Sequence, residues 1–213
     1  NAVSGFTATA DGTDTVTITN TSGERVDISV TDQTGATAAE SAYTDVTVSG
    51  ITTQSLDIFT ADKVTGRMAG PSGEADVLNI NLKTVTADSA ATQTITEIDI
   101  ADTIETVNLD ATGMKTGVSS VLKTVTTLTS DSSLTTLNIT GSDDLTIGTL
   151  TAAKLATINA GTATGSLSLP SNTGTNIAQT ITTGSGNDTI VMGAQLTGAD
   201  VIDTGGNSAI TAA

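Results

Sequence analysis

The chain has no cysteine, no histidine and no tryptophan, and its only aromatic residues are Phe6, Tyr43 and Phe59. Without cysteine there is no disulfide to staple the fold and no thiolate to attack a substrate or hold a soft metal. Without histidine, acid–base work near neutral pH falls to Asp, Glu, Lys or Tyr43. So few aromatics furnish neither a sugar-stacking platform nor a large globular core, so an interior must be layered from Val, Ile, Leu and Ala. Basic residues are scarce too: seven (Arg25, Lys63, Arg67, Lys83, Lys115, Lys123, Lys154) stand against 23 acidic ones, a net charge of −16. Such a balance suits neither the phosphates of nucleic acid nor an anionic membrane surface. No apolar run is long enough to span a bilayer.

Threonine is abundant instead, at roughly a fifth of the 213 residues and far above ordinary usage. Hydrophobic residues make up 37%, and they alternate with polar ones in β-branched runs, which argues for a folded β-rich chain over a disordered one. An acidic chain of this kind favours multivalent cations, because carboxylates crowded on a rigid body repel one another unless a hard ion lies between them.

One phrase recurs: an apolar residue, two others, then apolar–Asn/Asp–apolar. It reads Ile95-Thr96-Glu97-Ile98-Asp99-Ile100, Ile104-Glu105-Thr106-Val107-Asn108-Leu109, Leu134-Thr135-Thr136-Leu137-Asn138-Ile139 and Leu155-Ala156-Thr157-Ile158-Asn159-Ala160, with Val77-Leu78-Asn79-Ile80 a related form. Alternation about Asn sends the apolar pair inward and the amide outward or into a stacked amide ladder. Each late copy is followed by a glycine turn and a second short strand: Gly141–Asp144 before Leu145, Gly161–Gly165 before Leu167, Gly184–Asp188 before Ile190, Gly205–Ser208 before Ala209. Corresponding points return at roughly 20 to 23 residues, the period of a solenoid coil. The expected fold is all-β, a right-handed parallel β-solenoid with irregular coils of about 20 residues, on the order of ten rungs in all.

Residues 1–66 are less regular, with Val16-Thr17-Ile18, Val26–Val30, Val46-Thr47-Val48 and Leu56-Asp57-Ile58 alternating between turns. They read as an N-terminal β region, either earlier rungs or a separate small β lobe, with rungs favoured. Gly66–Gly73 is the expected joint to a second part, residues 67–213. Residues 111–133 read as an insertion, a bulging loop or a short helical turn around Val118–Leu122. The start at Asn1 and the end just past a glycine-rich turn suggest a piece of a longer protein.

Thr183-Gly184-Ser185-Gly186-Asn187-Asp188-Thr189-Ile190-Val191 is one residue short of the nonapeptide Gly-Gly-x-Gly-x-Asp-x-U-x of calcium-binding β-rolls, U being a large apolar residue. Glycines at φ > 0 are expected to turn carbonyls inward, with Asp188 closing around Ca2+. The competing reading is an Asx turn in which Asp188 caps backbone amides. Asp143 and Asp144 occupy a corresponding turn and are either a cation site or solvated. Asp200 and Asp203 are candidates for a neighbouring half of the Asp188 site, and Asp76, after Gly73-Glu74-Ala75, stands in a similar turn. Asp99, Asp102 and Asp110 read as exterior charges. Ser208, at the place Asp188 holds one coil earlier, loses a carboxylate there. Thr-x-Thr runs such as Thr15-Val16-Thr17 fit ordinary β-propensity better than an ice-binding array.

The I-E-T-V-N-L phrase at Ile104–Leu109, the threonine-rich strands and the Gly184–Ile190 turn together resemble the RTX-type surface-layer (S-layer) proteins of Gram-negative bacteria. The resemblance covers residues 73–210 well and residues 1–60 in style only. It implies secretion by a type I system, a calcium-stabilised β-solenoid at the cell surface, and self-association into a two-dimensional lattice. Attachment to cell-surface glycan or lipopolysaccharide would fall to parts outside this chain. The chain departs from the family in holding one near-perfect nonapeptide where true RTX blocks run many together. An RTX adhesin segment is the first alternative. A β-helical polysaccharide-acting enzyme is the second, but it would need a basic cluster beside its carboxylates, and the basic residues here are spread along the chain. The expectation is a structural protein and not an enzyme.

Overall fold

The computed structural model describes residues 6–10, 15–20, 27–30, 45–49, 53–58, 61–66, 76–82, 92–100, 104–112, 122–130, 132–174, 177–206 and 209–211. The described chain is all-β, with no α-helix and a single 3-10 turn at Gly193–Gln195. The strands are β1 (Phe6–Ala10), β2 (Thr15–Asn20), β3 (Asp27–Val30), β4 (Asp45–Ser49), β5 (Thr53–Ile58) and β6 (Ala61–Gly66). Next come β7 (Val77–Leu82), β8 (Thr92–Ile100), β9 (Thr106–Asp110), β10 (Leu122–Ser130), β11 (Thr136–Thr140) and β12 (Asp144–Ala152). The last are β13 (Thr157–Asn159), β14 (Leu167–Leu169), β15 (Thr180–Thr183), β16 (Thr189–Val191), β17 (Val201–Thr204) and β18 (Ala209–Thr211).

From β2 onward, strands go alternately to two sheets, and each pairs in parallel with the strand two places further along. One sheet runs β1-β2-β4-β6-β8-β10-β12-β14-β16-β18; the other runs β17-β15-β13-β11-β9-β7-β5-β3. Among the described residues, antiparallel pairing is confined to β1 and β2. Among the described strands, neither sheet closes on itself. Strands β2 to β6 continue the same two sheets as the later strands, since β5 pairs with β7 and β6 with β8. Of the expected joint at Gly66–Gly73, Gly66 ends β6 and residues 67–73 lie outside the described residues.

Register explains the recurring phrase. Leu78, Val107, Leu137, Ile158 and Ile181 stand in one buried row of the second sheet, with Ile80, Leu109 and Ile139 in the next. Between those rows, the Asn108 Nδ2 donates to Asn79 Oδ1 at 2.6 Å, and Asn138 Nδ2 to Asn108 Oδ1 at 2.7 Å. The amide ladder expected from the sequence is therefore present, half-buried on the outer face. Each rung offers one donor and one acceptor to its neighbours, so the ladder favours this register over a slip by one.

The first sheet holds a feature that the alternation did not reveal. Strands β10 and β12 bury Val125 and then Leu128, Ile147 and then Leu150, with a two-residue outward step between. The pairing passes from Val125↔Ile147 to Thr127↔Thr149, omitting Thr126 and Gly148. Such a step bends the strand so that both halves face the core. A Cβ on Gly148 would come 2.7 Å from the Thr126 carbonyl oxygen. Residues 122–130 are thus a strand rather than the loop or helical turn expected within that insertion. The rest of that expectation, at 113–121, lies outside the described residues.

Candidate functional site

The glycine turns lie where the chain leaves the second sheet for the first, immediately before β12, β14 and β16. Gly184 and Gly186 are needed for a different reason from the one expected. The positive-φ glycines among the described residues are Gly141 (φ 121°) and Gly193 (φ 55°), so neither Gly184 nor Gly186 adopts the left-handed region. Instead, a Cβ at Gly184 would sit 1.8 Å from the Ala163 carbonyl oxygen, and one at Gly186 would sit 2.3 Å from that of Gly165. Gly165 in turn would meet the Asp143 carbonyl oxygen at 2.1 Å. The corner is a column of backbone stacked on backbone, with no room for side chains.

Acidic side chains span this stack from one turn of chain to the next. Asp188 is buried, and its Oδ1 accepts from the Leu167 N–H at 2.9 Å. Asp144, half-buried, accepts at Oδ1 from the Ser166 N–H at 2.8 Å. Amides at strand starts lose ladder partners where the chain turns, and a carboxylate is a strong acceptor for them. Asp188 therefore caps a backbone amide, in the adjoining turn of chain rather than its own.

At the opposite connections the same device recurs. The Asp200 Oδ1 accepts from Gln179 N–H at 2.7 Å, and its Oδ2 from Thr197 N–H at 2.6 Å and Thr197 Oγ1 at 3.1 Å. Burial opposes the Asp200 charge, but the Gln179 and Thr197 amides and the Thr197 hydroxyl outweigh it, holding the carboxyl below its ordinary value of 3.8. Asp76 is buried at the start of β7, and its own N–H donates to Glu105 Oε2 at 2.8 Å. Asp203 is exposed within β17, paired with Thr182 of β15.

The structure does not bring these carboxylates together. Asp144 opens β12 and Asp188 precedes β16, with β14 between, which sets their backbones about 10 Å apart. Asp200 and Asp203 belong to the other sheet's side of the chain. Among the described residues, no three Asp, Glu, His or Cys side chains form a group able to hold a metal ion.

The polar centre that the sequence reading missed is Lys123. Its side chain is fully buried in the first sheet's inward row, where Nζ donates to the Leu82 carbonyl oxygen at 2.8 Å and to Gln93 Oε1 at 3.0 Å. Nζ also lies 3.4 Å from Asp143 Oδ2, with both side chains fully inaccessible. A cation thus already stands beside Asp143, so that residue does not fit a calcium site. The signal was available: Lys123 falls two before Val125 and Gln93 two before Ile95, polar residues at inward places of an alternating run.

No protein family, curated protein or solved structure matches the chain.

Proposed function

We propose that this chain is a structural segment of a bacterial surface layer: a secreted parallel β-solenoid that associates with copies of itself into a two-dimensional cell-surface lattice. The observation that carries it is the pairing of every strand from β2 onward with the strand two places along, in alternating sheets. That order is what a winding rod produces, and it suits a load-bearing element because each turn is held by its neighbours. The polar side chains support the same reading. The Asn ladder and the Asp144, Asp188 and Asp200 caps join one turn of chain to the next.

Calcium enters the proposal at the Gly184–Asp188 turn, where the ligands would be the Asp188 carboxylate and the Gly184 and Gly186 carbonyls, hard oxygens of the kind Ca2+ prefers. The net charge of −16 favours its binding. Electron microscopy of the purified protein with calcium is expected to show ordered sheets; isolated fibres would point to an adhesin. Excess chelator is expected to lower the melting temperature. An unchanged melt would remove calcium from the proposal and leave the lattice reading to the microscopy.

A further inference from the structure

The buried contact between Lys123 and Asp143 is one that ion-pair attraction alone stabilises little. Two opposite charges removed from water are often no better than apolar residues of the same size, and the next inward positions of this row, Leu145 and Leu167, are apolar. We propose that Lys123 and Asp143 condense to an intramolecular amide, a covalent cross-link between successive turns of the chain.

The geometry has the parts this reaction needs. Nζ lies 3.4 Å from Oδ2, longer than the about 2.7–2.9 Å of a tight charged hydrogen bond. Oδ2 is bonded to Cγ, so this contact sets the amine beside the carbon it would attack, the proximity that favours an intramolecular step. Two of the Nζ hydrogens are directed elsewhere, to the Leu82 carbonyl and to Gln93 Oε1. Transfer of a proton from Nζ to Asp143 would open a lone pair on the nitrogen for attack on the carboxyl carbon.

The atoms balance without a co-reactant. The ammonium gives one proton to Oδ2, the amine attacks Cγ, and the Nζ–Cγ bond forms. A second proton leaves nitrogen as the Cγ–Oδ2 bond breaks, and water departs. One hydrogen remains on the amide, and both charges are gone. Full burial of both side chains then keeps water from reversing the step.

The test is mass spectrometry of the full chain after denaturation. The expected mass is about 18 Da below that of the sequence, one water lost. Trypsin adds a second readout, since a bridged Lys123 is no longer a cleavage site. Residues Thr116–Lys154 should then emerge as one light peptide rather than as Thr116–Lys123 and Thr124–Lys154. Asp143→Ala should restore both full mass and cleavage after Lys123. If that variant does not fold, the unmodified chain still decides: full mass with cleavage at Lys123 overturns the proposal. The readout is independent of calcium and of lattice formation.

Discussion

A methyl group on Gly184 would be driven into the Ala163 carbonyl oxygen, whereas Gly198 has nothing within 4 Å of its would-be Cβ. Gly184→Ala should therefore destabilise by about 1–3 kcal/mol or more, because backbone on both sides must move. Gly198→Ala should stay within about 0.5 kcal/mol. Urea denaturation of the two variants checks the contrast; equal midpoints would show that the corner is not close-stacked. Asp200 gives a pH dependence. Its folded carboxyl titrates below 3.8, so its contribution is complete above that value and is lost as pH falls through the lowered one. Amide exchange at Gln179 and Thr197 should accelerate in that acid window beyond the intrinsic trend, and Asp200→Asn should lack the added acceleration. The sequence showed that glycines and aspartates mark these turns. It did not show what they do there, since a stacking glycine and a left-handed glycine are the same letter.

Among the elements, the Asn-centred strands were the most legible, because side-chain period and chemistry repeat together. The ladder through Asn79, Asn108 and Asn138 makes a further prediction. Asn108→Ala removes the middle rung and both its bonds, and should cost about 1–3 kcal/mol in a thermal or urea melt. Asn159, exposed at the next register position, should tolerate alanine much better. The bent strands were harder to read. Leu122–Ser130 puts a lysine at an inward place and steps outward twice in mid-strand, so it breaks a two-residue period at two points. Only the register with Thr92–Ile100 and Asp144–Ala152 makes it a strand.

At the scale of the molecule, the core is a set of rows one side chain deep, so loss of one side chain is felt by the strands on either side. Leu137, fully buried between Val107 and Ile158, should cost about 2–5 kcal/mol as alanine. The far edge is different: Val201 in β17 is 58% exposed and Ile210 in β18 is 47% exposed. Backbone amides of β17 and β18 should exchange first and those of β9 to β12 last. Uniform protection along the chain would contradict a stack held together by nearest neighbours.

The rows also keep their alignment while the length of chain between them changes. Asn108 meets Asn138 across 30 residues, but Leu167 meets Asp188 across only 21. Spacing between sheet positions is thus set by the hydrogen bonds and not by the connecting segment, whose cost rises only slowly with length. Foreign peptides grafted into those connections should accordingly leave the intervals along the sheets unchanged, which makes the molecule a ruler for spacing guest sequences.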